Sequence, residues 1–177
     1  MRVVAELDAG PMLAMSRRPI GLTETSVEVE RDLAEIGAAA LLDVVERLSN
    51  APVEEVPQDH DRATYAPKLE KGEGPIDWSA SGRVIHNRVR GLQPWPMAST
   101  NIEGLRCLIH RTALTERASD ARPGTIVEAA GDILAIAAGD GSVLQIQVIQ
   151  PEGRRAMSVR EFLSGRALRP GTPLGDR

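Results

Sequence analysis

The stretch VLQIQVI, residues 143–149, carries the strongest structural signal in this sequence. Leu144, Ile146 and Val148 alternate with two glutamines. Because successive side chains of a β-strand point to opposite faces, this alternation predicts a strand with one buried and one solvated face. The stretch therefore predicts a β-strand, and the segments next to it are expected to supply the strands with which it pairs.

Similar apolar segments precede this strand at residues 105–114, 125–129 and 133–137. Dipeptides typical of turns separate the segments, at residues 103–104, 123–124, 131–132 and 140–141. About five short strands with no helix between most of them predict a small closed barrel.

Two helices are predicted to flank this barrel. The first covers residues 79–90, with Ser79 as its N-cap. Its apolar residues form one stripe at helical spacing: Trp78, Ile85, Val89 and Leu92. Ser158 and Glu161 form a capping-box pattern, which predicts a short final helix ending near residue 166. Trp95, between two prolines, is predicted to be a packing anchor.

The N-terminal part predicts a β-hairpin followed by helix. Residues 3–7 favour a short strand that pairs with residues 12–20 through a turn at Asp8. Residues 25–28 form a second capping-box pattern, so a helix should begin there and stop near Asn50, with a bend or break at Gly37.

Prolines and glycines punctuate the middle of the chain, which favours a linker between two structural units. The first 63 residues carry a net charge of −7 and the remainder carries +3, which also favours two units. We predict an α+β protein with a first unit over residues 1–63, a linker over 64–78, a second unit over 79–170 and a disordered tail over 171–177.

Composition excludes several kinds of site. Cys107 is the only cysteine, so an intrachain disulfide is impossible, and the three histidines lie too far apart in sequence to form a metal-binding motif. No apolar run approaches the ~20 residues needed to span a bilayer. We therefore expect a cytoplasmic monomer without a bound metal and without a membrane partner.

Five segments, taken in order along the chain, resemble bacterial methionyl-tRNA formyltransferase. They are ELDAGPML, ETSVEVERDLAEIGAAALL, ATYAPKLEKGEGPIDWS, VRGLQPWPMA and REFLSGR. The resemblance covers nearly the whole chain. It implies a remnant of a Rossmann-like formyltransferase domain, consisting of the β-hairpin and helices, followed by a C-terminal OB-like β-barrel with flanking helices.

The resemblance also implies a reaction and a catalytic residue. In this family the first domain uses 10-formyltetrahydrofolate to formylate the amino group of methionyl-initiator-tRNA. Asp8 corresponds to the aspartate of the family's DxG corner, and Leu7 and Asp8 would lie beside the folate. The family's catalytic Asn and His precede that corner, where this sequence has no counterpart. The chain therefore resembles a C-terminal portion, and we expect it to be inactive or nearly inactive alone. Read without the resemblance, Asp8 is a turn-forming aspartate.

The second activity implied by the resemblance is tRNA binding. Lysine and arginine neutralise RNA phosphates, and the candidates are Lys68, Lys71, Arg88, Arg90, Arg154, Arg155 and Arg160. The alternative for each of them is a solvated side chain paired with a nearby acid. Because aromatic residues are scarce, contact with the backbone of a folded tRNA is favoured over stacking on single-stranded bases.

Two further functions stay open at this stage. One is a non-enzymatic nucleic-acid-binding module built on the OB-like barrel. The other, less favoured, is a fragment of a UDP-sugar N-formyltransferase, because that group shares the catalytic domain.

Overall fold

Strand β5 (Ser142–Pro151) is the centre of a six-stranded antiparallel sheet in the computed structural model, which describes residues 1–175. The strand order is β1-β2-β5-β4-β3, and β6 also pairs with β5. The other strands are β1 (Ala98–Ile102), β2 (Leu105–Ala118), β3 (Ile126–Ala130), β4 (Ile133–Ala137) and β6 (Met157–Ser158). The predicted mixture of helices with a sheet built around residues 143–149 is confirmed.

The alternation within β5 changes phase near its middle. Leu144 and Ile146 are fully buried, as predicted, but the next buried residue is Ile149, and Val148 is only partly buried. Ile146 pairs with Thr112 whereas Val148 pairs with Arg111, so Gln147 is left without a cross-strand partner in this register. Such a bulge adds one residue and shifts the alternation by one position.

The predicted closed barrel is not confirmed, because β1 and β3 end the sheet as two separate edges. Residues near the C-terminus lie between these edges, where Leu174 bridges to Ile102 and Pro173 bridges to Thr125. Leu174 is 9% exposed and belongs to the hydrophobic core. The prediction of a disordered tail over residues 171–177 is therefore wrong as far as Gly175, and its last two residues lie outside the described part of the chain.

The helices around the sheet are α2 (Gly82–Gly91) and α3 (Val159–Ser164). The N-cap of α2 is Ser81 and not Ser79, whose hydroxyl instead donates to the Asp77 carboxylate at 2.6 Å. The burial predicted for the apolar stripe is confirmed for Trp78, Ile85, Val89 and Leu92. Only Ile85 and Val89 lie on α2, because Trp78 precedes the helix and Leu92 follows it. The capping box that begins α3 is confirmed, and this helix ends two residues before the predicted position.

The chain divides into two units between Lys68 and Leu69, within the stretch assigned to the linker. Residues 74–76, from the same stretch, extend the β1 edge of the second unit. The Ile76 NH donates to the Ser99 carbonyl and the Ser99 NH donates to the Gly74 carbonyl, both at 2.8 Å. The sheet thus gains a short parallel pairing next to β1.

The first unit is built around helix α1 (Ser26–Asn50), which begins with the predicted capping box at residues 25–28 and ends where predicted. The helix is continuous through Gly37, so the predicted break is wrong. The predicted β-hairpin is also wrong, because Met12 bridges to Val56 and residues 3–7 form no strand. A two-stranded hairpin without a third strand or a packed face is only marginally stable.

None of the helices in the described residues has the length and apolar character needed to cross a membrane.

Inside the second unit, Cys107 is fully buried, and this burial raises the pKa of its thiol to about 11. His86 is also buried and its Nδ1 lies 2.9 Å from the Thr112 hydroxyl, which is a structural contact.

Candidate nucleic-acid interface

The loop between β5 and β6 presents two of the predicted RNA-binding arginines to solvent. Arg154 and Arg155 are both exposed. Arg155 Nη2 lies 2.8 Å from Glu161 Oε1, whereas the Arg154 guanidinium has no partner within residues 1–175. Hydrogen bonds from the Ser158 backbone and from Arg155 lower the pKa of the Glu161 carboxyl. Arg154 is therefore the cation of this loop that is available to a ligand phosphate.

A chain of hydrogen bonds holds this loop from beneath. Gln93 Nε2 donates to the His110 carbonyl at 2.7 Å, and His110 Nε2 lies 2.9 Å from Gln150 Oε1. The Gln150 amide then donates to the Arg154 carbonyl at 2.9 Å. These contacts run from the end of α2 across β2 and β5, so they fix the backbone that carries the arginine.

Arg160 lies on α3 and faces the turn between β3 and β4. Its Nη2 is 3.5 Å from Asp132 Oδ2, and both side chains are largely exposed. Exposed ion pairs of this kind contribute about 0–1 kcal/mol. The alternative of paired surface charges thus applies to Arg155 and Arg160, but these pairs are weak enough for a phosphate to displace the carboxylate.

A second group of cations surrounds the 3-10 turn Lys71–Glu73. Arg88, on α2, donates from Nη2 to the Glu73 carbonyl at 2.5 Å, which brings Arg88 and Lys71 to the same region. Arg90 is one half-turn further along the helix, and its Nε donates to Asn87 Oδ1 at 3.0 Å. Lys71 and Arg88 are exposed, whereas Arg90 is partly buried and engaged in local contacts.

Arg106, which is not among the cations predicted from the sequence, lies between these two groups. It is exposed on β2, and its carbonyl accepts a hydrogen bond from the Glu152 NH at 2.9 Å, beside the arginine loop. It also lines a cavity together with Pro75 and Ile76, next to the Lys71 turn. Alternation with the buried Cys107 and Ile109 was the available signal, because it assigns Arg106 to the outer face of its strand.

Comparison with known proteins shows the family. Residues 68–167 match the family described as "Formyl transferase, C-terminal domain". The chain belongs to this family. A methionyl-tRNA formyltransferase from Bacillus licheniformis is 35% identical over 175 residues, which are 99% of this chain and 55% of the relative. Its counterpart from Acidobacterium capsulatum is 39% identical over 175 residues, which are 99% of this chain and 56% of the relative.

The recognised resemblance to methionyl-tRNA formyltransferase is thereby confirmed, and the chain spans about half the length of the curated relatives it matches. Among solved structures, HypX from Aquifex aeolicus in complex with tetrahydrofolic acid matches with a TM-score of 0.65 and 19% identity. The match covers 90% of this chain and 28% of HypX. At this identity the likeness concerns the fold alone.

The first unit of this chain contains the residues predicted to serve catalysis. Asp8 has a φ of 54° and an exposed side chain, and its carbonyl accepts a hydrogen bond from Gln58 at 2.8 Å. Its carboxylate has no hydrogen-bonding partner within residues 1–175. Leu7 is 93% exposed. Lys68, also exposed, ends this unit.

These residues do not fit a folate. The first unit has a cavity of about 200 Å³ with an apolar lining that includes Leu13, Leu41 and Val44, and neither Leu7 nor Asp8 contributes to it. A folate site needs polar groups that orient the ligand inside a pocket. In the described part of the chain, the predicted catalytic and folate-contacting residues lie on an open surface.

Trp95 is not the packing anchor predicted from sequence, because its side chain is 54% exposed. The loop around it is held by its neighbours, since the Met97 NH donates to the Leu92 carbonyl at 2.9 Å and Gln93 binds β2. These contacts hold the backbone of the loop without the indole.

Within residues 1–175, no group of three histidine, cysteine or acidic side chains is arranged to hold a metal ion.

Proposed function

We propose that this chain supplies the tRNA-holding part of a methionyl-tRNA formyltransferase. The reaction transfers a formyl group from 10-formyltetrahydrofolate to the amino group of methionyl-initiator-tRNA. The observation that carries the proposal is the 35–39% identity to two enzymes of that name over 99% of the chain. The same identity favours a tRNA substrate over a nucleotide sugar.

The charge distribution of the second unit supports the tRNA role. Arg106 and Arg154 have no side-chain partner within residues 1–175, and the Arg155 and Arg160 ion pairs are exposed. Arg88 and Lys71 continue the cations towards the 71–73 turn. Phosphate contacts position a protein on nucleic acid without reading the bases. A folded tRNA, recognised by its shape and backbone, is the ligand that such a surface fits.

We expect Arg154→Ala to weaken tRNA binding and to make the remaining affinity less sensitive to salt. Each lost phosphate contact should reduce the slope of log affinity against log salt concentration by about 0.7–0.9. The measurement is a filter-binding or fluorescence titration at several salt concentrations. Arg117→Ala is the matched control. Arg117 lies near the end of β2 that is opposite to Arg106 and the arginine loop, and it pairs with Glu128 at 2.7 Å, so the variant should change neither quantity. Wild-type affinity that does not respond to salt would refute the proposal.

We also expect the 177-residue polypeptide, purified alone, to formylate no methionyl-tRNA above background. By resemblance Asp8 would orient an imidazole, but its carboxylate is exposed and unpartnered in the described structure. A carboxylate in this setting has no group through which to act. The assay is formylation of charged initiator tRNA with 10-formyltetrahydrofolate as donor. Turnover abolished by Asp8→Asn would contradict this expectation.

The runner-up function is a non-enzymatic nucleic-acid-binding module. The open position of Leu7 and Asp8 favours it, since these residues form no pocket in the described chain. The two functions share the basic surface of the second unit. The formylation assay separates them when it is repeated with a folate-binding formyltransferase domain supplied in trans, because only the first function gains activity.

A further inference from the structure

A cavity of about 320 Å³ lies beside strand β1. Its walls include Pro75 and Ile76 on one side, Ser99 and Asn101 of β1, and Arg106 of β2. The volume equals that of roughly ten liquid waters, so a phosphate group can enter. None of the described residues that line it carries an acidic side chain.

Three polar side chains meet on one face of the sheet at this cavity. Ser99 and Asn101 are two residues apart in β1 and therefore share a face. Asn101 is the cross-strand partner of Arg106, so the guanidinium stands on that face as well. A hydroxyl, an amide and a guanidinium thus converge at the edge of the sheet.

The Ser99 hydroxyl is free to donate to a group that enters the cavity. Ser99 as a whole residue is 4% exposed, and both of its backbone groups are bonded, whereas its hydroxyl forms no hydrogen bond within residues 1–175. In the described residues no fully buried side-chain nitrogen or oxygen lacks a hydrogen-bond partner, so the Ser99 hydroxyl is open to solvent from the cavity. The hydroxyl lines the cavity, where an entering acceptor oxygen would satisfy it.

We propose that this cavity is a phosphodiester-binding subsite, in which Arg106 neutralises one RNA phosphate and the Ser99 hydroxyl donates to one of its oxygens. The inference rests on the proposed tRNA binding and assigns it a specific anchoring point. Arginine suits the role because its planar donors match phosphate oxygens and charge-assisted hydrogen bonds are the stronger ones. The subsite lies between the Arg154 loop and the Lys71 turn, so the bound backbone would pass from one group to the other.

The test compares three variants of the full chain by salt-dependent tRNA titration and by thermal unfolding. We expect Arg106→Ala to lower tRNA affinity about tenfold and to reduce the salt slope by about 0.7–0.9. Ser99→Ala should lower affinity about threefold and leave the unfolding temperature unchanged or raised, because the lost hydroxyl had no partner. Arg122→Ala is the control. Arg122 is exposed and follows the end of β2 that is opposite to Arg106, so this variant should bind tRNA with the affinity of the wild type.

The outcomes separate the two levels of the proposal. Wild type that binds no tRNA would overturn the proposed function itself. If the wild type binds tRNA and both Ser99→Ala and Arg106→Ala bind it with the wild-type affinity, the subsite alone is overturned. Affinity that falls only in step with the unfolding temperature would indicate a structural role for Ser99 and also overturn it.

Inorganic phosphate distinguishes an RNA phosphate from a free anion. In an NMR titration of the full chain, tRNA should shift the backbone amides of residues 99–106, and this shift should be absent in Arg106→Ala. If inorganic phosphate alone shifts these amides while Arg106→Ala binds tRNA normally, the cavity takes a small anion and the RNA assignment is wrong.

Discussion

Replacing Gly139 with alanine will destabilise the second unit by about 3 kcal/mol or more, which is the upper end of the cost of overpacking. A Cβ at this position would lie 1.6 Å from the Ser79 carbonyl oxygen and 2.3 Å from the Ser79 carbonyl carbon. Both are backbone atoms, so no side-chain rotation relieves the clash. The Gly139 NH also donates to the Ala80 carbonyl at 2.9 Å, which holds the β4–β5 turn against the segment before α2.

The matched control for this variant is Gly91→Ala. Gly91 is the last residue of α2, and a Cβ there would meet no atom within 4 Å. Alanine should therefore be neutral or stabilise by up to about 1 kcal/mol, the helix-propensity difference. Urea unfolding monitored by circular dichroism measures both variants. Equal midpoints for Gly139→Ala and wild type would show that the turn can move away from Ser79.

The second large effect is expected when the chain is shortened after Pro170. The deletion removes five backbone hydrogen bonds: Gly171 NH to the Ile126 carbonyl, Ile126 NH to the Thr172 carbonyl, Thr172 NH to the Arg169 carbonyl, Leu174 NH to the Gly124 carbonyl and Gly175 NH to the Asn101 carbonyl. It also exposes the core space filled by Leu174. Loss of a buried leucine side chain costs about 2–5 kcal/mol by itself. We therefore expect the free energy of unfolding of the second unit to fall by about 4 kcal/mol or more.

Leu174→Met is the companion variant for the deletion. A volume-conserving exchange in a core costs less than about 1.5 kcal/mol, so this variant should unfold close to wild type. Differential scanning calorimetry on the three proteins gives the comparison. If the shortened chain keeps the wild-type unfolding temperature, then the C-terminal bridges between β1 and β3 contribute no stability.

Local patterns in the sequence predicted the elements whose causes are local. The capping boxes at residues 25–28 and 158–161 were readable because both partners of each box lie within one helical turn. The burial of Ile85 and Val89 on α2 followed from helical spacing alone. The phase change at Gln147 was not readable, since a bulge depends on the register chosen with another strand.

The C-terminal bridges to Ile102 and Thr125 could not be predicted from the sequence for a different reason. Residues 171–175 are short, contain proline and glycine and have no periodicity, so they resemble a frayed terminus. Their order comes from pairing with strands some fifty to seventy positions earlier in the chain. Tertiary pairing of this kind supplies what local propensity does not.

In the candidate site, too, some residues could be predicted from the sequence and others could not. The arginines of the β5–β6 loop were selected from charge and resemblance, and the structure places them on an exposed loop held by Gln150. Arg106 was missed because its significance arises from its cross-strand partner Asn101 and from the cavity that both line. Asp8 was assigned by resemblance, and its catalytic role stays a prediction.

The buried thiol of Cys107 is an internal reporter of local unfolding in the second unit. Because the chain has a single cysteine, fully buried and with its pKa raised to about 11, a thiol reagent can modify only those molecules whose sheet has opened. The rate of labelling at fixed pH therefore measures how often the core of the second unit is exposed to solvent. One mass spectrum per time point would give that frequency without any engineered probe.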